Sequence, residues 1–177
     1  MKLVILRRDG VINAANALPI LKPDEWAPLP GVREAISRLH RDGYRIVVVT
    51  NQPAVAQGTL KIEALNRIHG KMLEIVRQKG GDIEAFFICP HVPEDKCRCR
   101  APMPGLFEEV AERLKVNLSG VYAVGCSLDD VKAAQAASIL PALLRSGDAP
   151  VAPAGVMVFD DLAAFTDALL TGRMPGR

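Results

Sequence analysis

What most constrains this chain is an alternation: short β-branched and aliphatic runs, each followed by a segment with helical apolar spacing. Lys2–Leu6, Tyr44–Thr50, Ile83–Cys89 and Val121–Gly125 read as strands, with Leu140–Leu144 and Val156–Phe159 as short final ones. Between them, Val32–Arg41 sets Val32, Ala35, Ile36 and Leu39 on one face, and Ile62–Lys79 does the same with Ile62, Leu65, Ile68, Met72, Leu73 and Val76. Leu106–Lys115, Asp129–Ala137 and Leu162–Leu170 complete the helical set. Strands that alternate with helices form a parallel sheet, because each crossover lays its helix on a face of the sheet. The predicted fold is therefore α/β: a Rossmann-like three-layer sandwich with a mostly parallel sheet and helices on both faces. It is predicted as one domain over residues 1–170 with a flexible tail over 171–177. In such a sheet, ligands gather at the carboxyl ends of the strands near a switch in strand order. That singles out Arg7–Gly10, Thr50–Gln52, the loop after Cys89, and Gly125–Asp130.

Charge narrows the partners. The 22 basic and 20 acidic residues leave a net charge of +2, too little for a field that would draw in nucleic acid or an anionic membrane. Aromatic residues are 5% of the chain, too few for stacking on bases. No apolar run approaches the ~18 residues of a membrane span. The opening MKLVILRRDG meets charge before a signal-peptide core could form. A cytoplasmic monomer is the expectation.

Three of the four cysteines crowd beside a histidine in Cys89-Pro-His91-Val-Pro-Glu-Asp-Lys-Cys97-Arg-Cys99. Each pair is spaced i, i+2, so in extended backbone its two side chains share a face. Two such pairs joined by a short turn can close a tetrahedron around one ion. Three thiolates and an imidazole are the ligand set of a closed, structural zinc site, and iron–sulfur clusters usually want four thiolates. The plainer reading is a cluster of reduced cysteines without metal. His40 and His69 have no such neighbours and read as ordinary core or surface residues.

Several pieces in order carry a resemblance: RRDGVIN (Arg7–Asn13), LPGVREAI (Leu29–Ile36), VVVTNQPAVAQG (Val47–Gly58), the Cys/His loop, CRAPMPGLF (Cys99–Phe107) and VGCSLDDVKAA (Val124–Ala134). Together they resemble the histidinol-phosphate and heptose-bisphosphate phosphatases of the haloacid dehalogenase superfamily. The resemblance implies a minimal cap, a zinc-stapled loop, and a phosphorylated sugar or other phosphate anion as partner. It also implies a mechanism. An aspartate after the first strand attacks the phosphoryl group, and a second, two residues on, serves as acid and base. Magnesium bridges the nucleophile, a backbone oxygen and an aspartate after the fourth strand, while a threonine after the second strand and a lysine near the third hold the phosphate.

By that resemblance Asp9 falls at the acid/base position, Thr50 with Asn51 and Gln52 at the phosphate-binding position, and Arg100 at a substrate-contacting one. Asp130, with Asp129 beside it, falls at the distal acidic position of the fourth strand's loop. The nucleophile position, however, holds Arg7, the lysine position Ala101, and the fourth strand's magnesium-ligand position Cys126. The family's Ser-Gly after Asn-Gln is Pro53-Ala54 here. A guanidinium has no lone pair with which to attack. The degenerate magnesium site is left with Asp9, Cys126 and Asp130, and a thiol is a poor ligand for so hard an ion. The favoured expectation is a phosphatase-like protein with lost or severely impaired hydrolysis, with two states of the pocket left open: retained sugar-phosphate binding, or simple decay in which Arg7 snorkels to water. An active heptose-bisphosphate phosphatase and a zinc-stabilised protein-interaction module are the alternatives. Arg7 is expected within reach of Asp9 or Asp130, as a cation where metal ligands have gone.

Overall fold

A computed structural model describes residues 1–16, 18–145 and 151–174. Six strands form its sheet: β1 (Leu3–Arg7), β2 (Arg45–Asn51), β3 (Ala85–Cys89), β4 (Tyr122–Gly125), β5 (Leu140–Leu144) and β6 (Met157–Phe159). They lie in the order β3-β2-β1-β4-β5-β6, and every neighbouring pair is parallel. The helices are α1 (Val32–Arg41), α2 (Pro53–Ala56), α3 (Ile62–Arg77), α4 (Gly105–Leu114), α5 (Leu128–Ala136) and α6 (Leu162–Leu170). The single turn α2 has no helical apolar period to betray it, and Pro53 opens it at a position where the missing N–H costs nothing.

The two-residue period of β1 builds both cores. Leu3 and Ile5 enter a cluster with Leu106, Phe107 and Val110 of α4 and Ala133 and Ala134 of α5. Val4 and Leu6 enter the other, with Ile36 and Leu39 of α1, Leu65 and Met72 of α3, and Phe165 of α6. The result is the expected three-layer sandwich. Between β1 and α1 the described residues form only one 3-10 turn, Pro23–Glu25, and the apolar Ile20 and Trp26 of this segment are buried.

Connections run from β1 toward β3 on one side and from β4 toward β6 on the other. The switch therefore falls between β1 and β4, which are in register with Leu6 opposite Val124. Loops leaving these two strands diverge there and open a crevice.

The first four residues of the expected tail touch the body of the domain. Thr171 Oγ1 donates to the Asp167 carbonyl (2.6 Å), Arg173 N donates to the Ala168 carbonyl (2.9 Å), and Met174 is buried in the core. An apolar side chain with a core to enter fastens the backbone that carries it. The last three tail residues lie outside the described ones. Among the described residues, no helix is long and apolar enough to cross a membrane.

Candidate functional site

The alternation of β1 runs on into the loop and sends two adjacent arginines opposite ways. Arg7, in phase with Leu3 and Ile5, faces the α5 side of the sheet and forms an ion pair through Nη1 with Asp130 Oδ1. Arg8, in phase with Val4 and Leu6, is driven into the other layer, where it is only 1% exposed. A buried guanidinium needs acceptors. Arg8 finds them in Asp9, with Nε donating to Oδ1 (2.9 Å) and Nη2 to Oδ2 (3.1 Å). Its Nη1 lies 3.3 Å from His69 Nε2.

His69 rises from α3 on the face that carries Leu65 and Met72, and stacks on Phe86 with ring centroids 4.3 Å apart. Burial, and then the Arg8 charge, push its pKa down to about 3. The ring is therefore neutral. Because Arg8 can only donate, Nε2 is the accepting nitrogen.

The Asp9 carboxylate is fully engaged. Beyond Arg8, its Oδ1 accepts from Asn13 Nδ2 (2.9 Å), and its Oδ2 accepts from Gln52 Nε2 (3.0 Å) and, at 3.4 Å, from Thr50 Oγ1. Asn13 is itself fixed by Trp26 Nε1, which donates to its Oδ1 (3.0 Å). Gln52 Nε2 also donates to Thr50 Oγ1 (2.7 Å). Thr50 and Gln52 thus converge on Asp9 from the end of β2, while Asn51 lines the open side.

Asp130 sits at the start of α5, where Ser127 caps the helix and Asp130 N donates to Ser127 Oγ (3.2 Å). Asp130 Oδ2 accepts from Cys126 N (3.0 Å), Ser127 N (3.1 Å) and Ser127 Oγ (2.8 Å), which leaves Oδ1 for Arg7. Gly125 makes room for this, since a Cβ there would stand 2.4 Å from Asp130 Cβ. Arg7 does not pair with Asp9, and Asp129 points away toward Lys132. Arg7 Nε is buried without a partner among the described residues. Cys126 Sγ lies 3.5 Å from the Asp9 carbonyl oxygen, and burial, then the Asp130 charge, push its thiol up to about 11. It is a neutral S–H.

Two clefts of about 390 Å³ each meet at Arg7. Arg8, Asp9, Gln52 and Cys126 line one. Asn51, Lys96, Arg100, Ala101, Ser127 and Asp129 line the other. Arg100 leans back on the Cys/His loop, its Nη1 donating to the His91 carbonyl (3.4 Å).

In that loop, one donor atom each from Cys89, His91, Cys97 and Cys99 lie within 4.8 Å of one another. Measured edges are 3.0 Å (Cys99–Cys89), 3.2 Å (His91–Cys99), 3.5 Å (Cys99–Cys97), 3.6 Å (Cys89–Cys97) and 3.7 Å (Cys89–His91). A tetrahedral metal with bonds of about 2.3 Å to sulfur would ask for edges of about 3.7 Å. The four residues thus form a metal-binding group with the composition of a structural zinc site. Burial raises the Cys89 and Cys99 thiols, a cost that a dication would offset. The loop is seated on α4 at Gly105, whose N donates to the Arg98 carbonyl (2.9 Å) and where a Cβ would come 2.4 Å from that oxygen.

Arg8, Asn13, Ser127 and His69 hold the site, and sequence reasoning gave none of them a role. The signal was present for two. Arg8 continues the buried phase of Val4 and Leu6, and His69 lies in phase with Leu65 and Met72, so each is a polar residue on an apolar face. Asn13 and Ser127 act through loop geometry, which leaves no period to read.

A wholly parallel sheet with its polar centre at the switch, where β1 and β4 diverge, defines a doubly-wound α/β protein with a ligand crevice at the carboxyl ends of its strands. A haloacid dehalogenase-like hydrolase family model matches residues 4–138. The chain belongs to the haloacid dehalogenase superfamily, in the D-glycero-D-manno-heptose-1,7-bisphosphate 7-phosphatase family. It is similar to the enzymes of that name from Bordetella bronchiseptica (43% identity, 96% of this chain and 98% of that one) and Pseudomonas aeruginosa (41%, 95% and 97%). Among solved structures it is similar to the B. bronchiseptica phosphatase complexed with magnesium and phosphate. That match has a TM-score of 0.92 and covers 97% of this chain and 99% of that one.

Magnesium does not fit the groups that stand here. Of the three side chains that the sequence resemblance assigns to its site, Asp9 and Asp130 have carboxylate oxygens that accept from internal donors, and Cys126 is a thiol. The Asp9 carbonyl faces that thiol, and the guanidinium of Arg7 brings a positive charge to the same place.

Proposed function

We propose that this chain is a heptose-bisphosphate-phosphatase-type protein that recognises a phosphorylated sugar, while its hydrolysis by the family's covalent route is lost or severely slowed. The observation that carries this reading is Arg7, a guanidinium ion-paired with Asp130 at the nucleophile position. Loss of a covalent nucleophile costs on the order of 10⁴ to 10⁶ in rate. Asp9 remains as an acid/base group, with neither a nucleophile nor the lysine to work beside it. Anion recognition would fall to Thr50, Asn51 and Gln52 at the end of β2, to Arg100 beside the metal loop, and to Arg7 between the clefts. Zinc held by Cys89, His91, Cys97 and Cys99 would keep Arg100 in position; being four-coordinate, it has no site left for a reacting water.

A second reading is a working heptose-bisphosphate 7-phosphatase, and near-full-length identity of 43% with a relative of that name favours it. Phosphate release from heptose 1,7-bisphosphate, with and without magnesium, separates the two. The first reading expects no magnesium-dependent turnover, and the second expects turnover at the relatives' rate.

A further inference from the structure

We infer that Arg7 stands in for the divalent cation of this family, so that the centre binds a phosphate dianion without magnesium. The inference rests on the phosphate-recognition reading above, but it concerns binding rather than turnover.

Charge sets the terms. A phosphate dianion next to two carboxylates needs a local cation, and in most of this superfamily's chemistry a metal supplies it. Here the cation is covalent. Arg7 spends one edge of its guanidinium on Asp130 Oδ1, which neutralises the only oxygen of that carboxylate not already serving the Cys126–Ser127 backbone and the Ser127 hydroxyl. Arg8 does the same for Asp9 from the opposite face of the sheet. Each carboxylate is thereby matched with its own arginine, and none is left to call in an ion.

The same side chain faces outward. Arg7 lines both clefts, and about 20% of its side-chain surface stays exposed. A guanidinium offers five donors in a rigid fork that suits phosphate oxygens. The helix α5 begins beside it, with Ser127 at its N-cap. A hard dication, by contrast, would have to displace Arg7 from Asp130 and take a sulfur as a ligand.

The test is calorimetry on the zinc-loaded full chain, with inorganic phosphate and with manganese as a magnesium surrogate. Wild-type protein is expected to bind phosphate with the same affinity, within about twofold, whether or not magnesium is present, and to take up no stoichiometric manganese at this centre. Arg7→Met is expected to weaken phosphate binding at least tenfold, with circular dichroism and zinc content as wild type. Arg7→Asp with Cys126→Asp is expected to bind one manganese per chain. Phosphate binding that requires magnesium, one manganese bound by wild type, unchanged affinity in Arg7→Met, or a folded double variant that binds no manganese each overturns the inference. Turnover does not enter these readouts. Hydrolysis without metal binding would sink the proposed function alone, and metal binding without hydrolysis would sink this inference alone.

Discussion

Arg7 and Arg8 are neighbours in sequence, yet they serve separate carboxylates in separate layers, because strand geometry turns successive side chains to opposite faces. The buried member of the pair depends on an uncharged ring. His69 must stay neutral to accept from Arg8, and its pKa of about 3 against an ordinary 6.5 makes that a statement about stability. The unfolded chain binds a proton on this histidine below pH 6.5 and the folded chain does not until near pH 3. Acid therefore favours unfolding across that window, and stability rises with pH through it. His69→Gln keeps an acceptor for Arg8 and removes the titration. In urea unfolding, wild type should lose about 2 kcal/mol more than His69→Gln between pH 7 and pH 5. Equal losses would mean that the ring is not held neutral.

At the scale of elements, two corners do most of the positioning. The turn from β4 into α5 places Asp130 against Gly125, where a Cβ would stand 2.4 Å from Asp130 Cβ. Gly125→Ala should therefore cost about 1–3 kcal/mol, the usual penalty of overpacking, and a thermal melt at wild-type temperature would contradict the fit. The Cys/His loop is the other corner. One zinc per chain is expected by elemental analysis. Cys97→Ser should lose it and become protease-sensitive near residues 90–104, while the far-ultraviolet circular dichroism of the sheet stays put. A domain of this size has its own core and needs no metal to hold it. Retained zinc, or global unfolding, would each contradict that division of labour.

These corners also mark how far the sequence could be read. The strands were legible to within a residue or two, because β1 and β2 are buried on both faces and read as unbroken apolar runs. The metal loop was legible because its ligands are local: four donors within eleven residues carry their own geometry. The Arg7–Asp130 pair spans 123 positions, and only the resemblance and the need to balance charge put it within reach. The Arg8–His69 pair was overlooked because a polar residue in an apolar phase looks like an interruption until its partner on α3 is seen. The turn α2 and the anchored Met174 were missed for want of any pattern, since one helical turn and one methionine are too short to make a period.

At the scale of the whole molecule, the fold matches that of a heptose-bisphosphate phosphatase over nearly its full length, and Arg7, Ala101 and Cys126, the positions where the sequence resemblance breaks, line the two clefts that meet at Arg7. If the loops still hold the family geometry, Arg7→Asp, Ala101→Lys and Cys126→Asp together should restore chemistry that no single change restores. Groups that act as a unit give far more together than the product of their separate effects. Arg7→Asp alone supplies a nucleophile but removes the guanidinium that pairs with Asp130 Oδ1. Cys126→Asp supplies the hard ligand, and Ala101→Lys the positive charge beside the phosphate. Pro53-Ala54 is the first place to look if the triple variant folds, binds zinc and stays inert.

The most direct measurement is phosphate release from D-glycero-D-manno-heptose 1,7-bisphosphate by the zinc-loaded wild-type chain in magnesium, run beside the triple variant. The expected result is a wild-type rate at least on the order of 10⁴ below that of the triple variant, and insensitive to magnesium. A wild-type rate equal to the triple variant's, and abolished when magnesium is removed, would contradict the account at its centre.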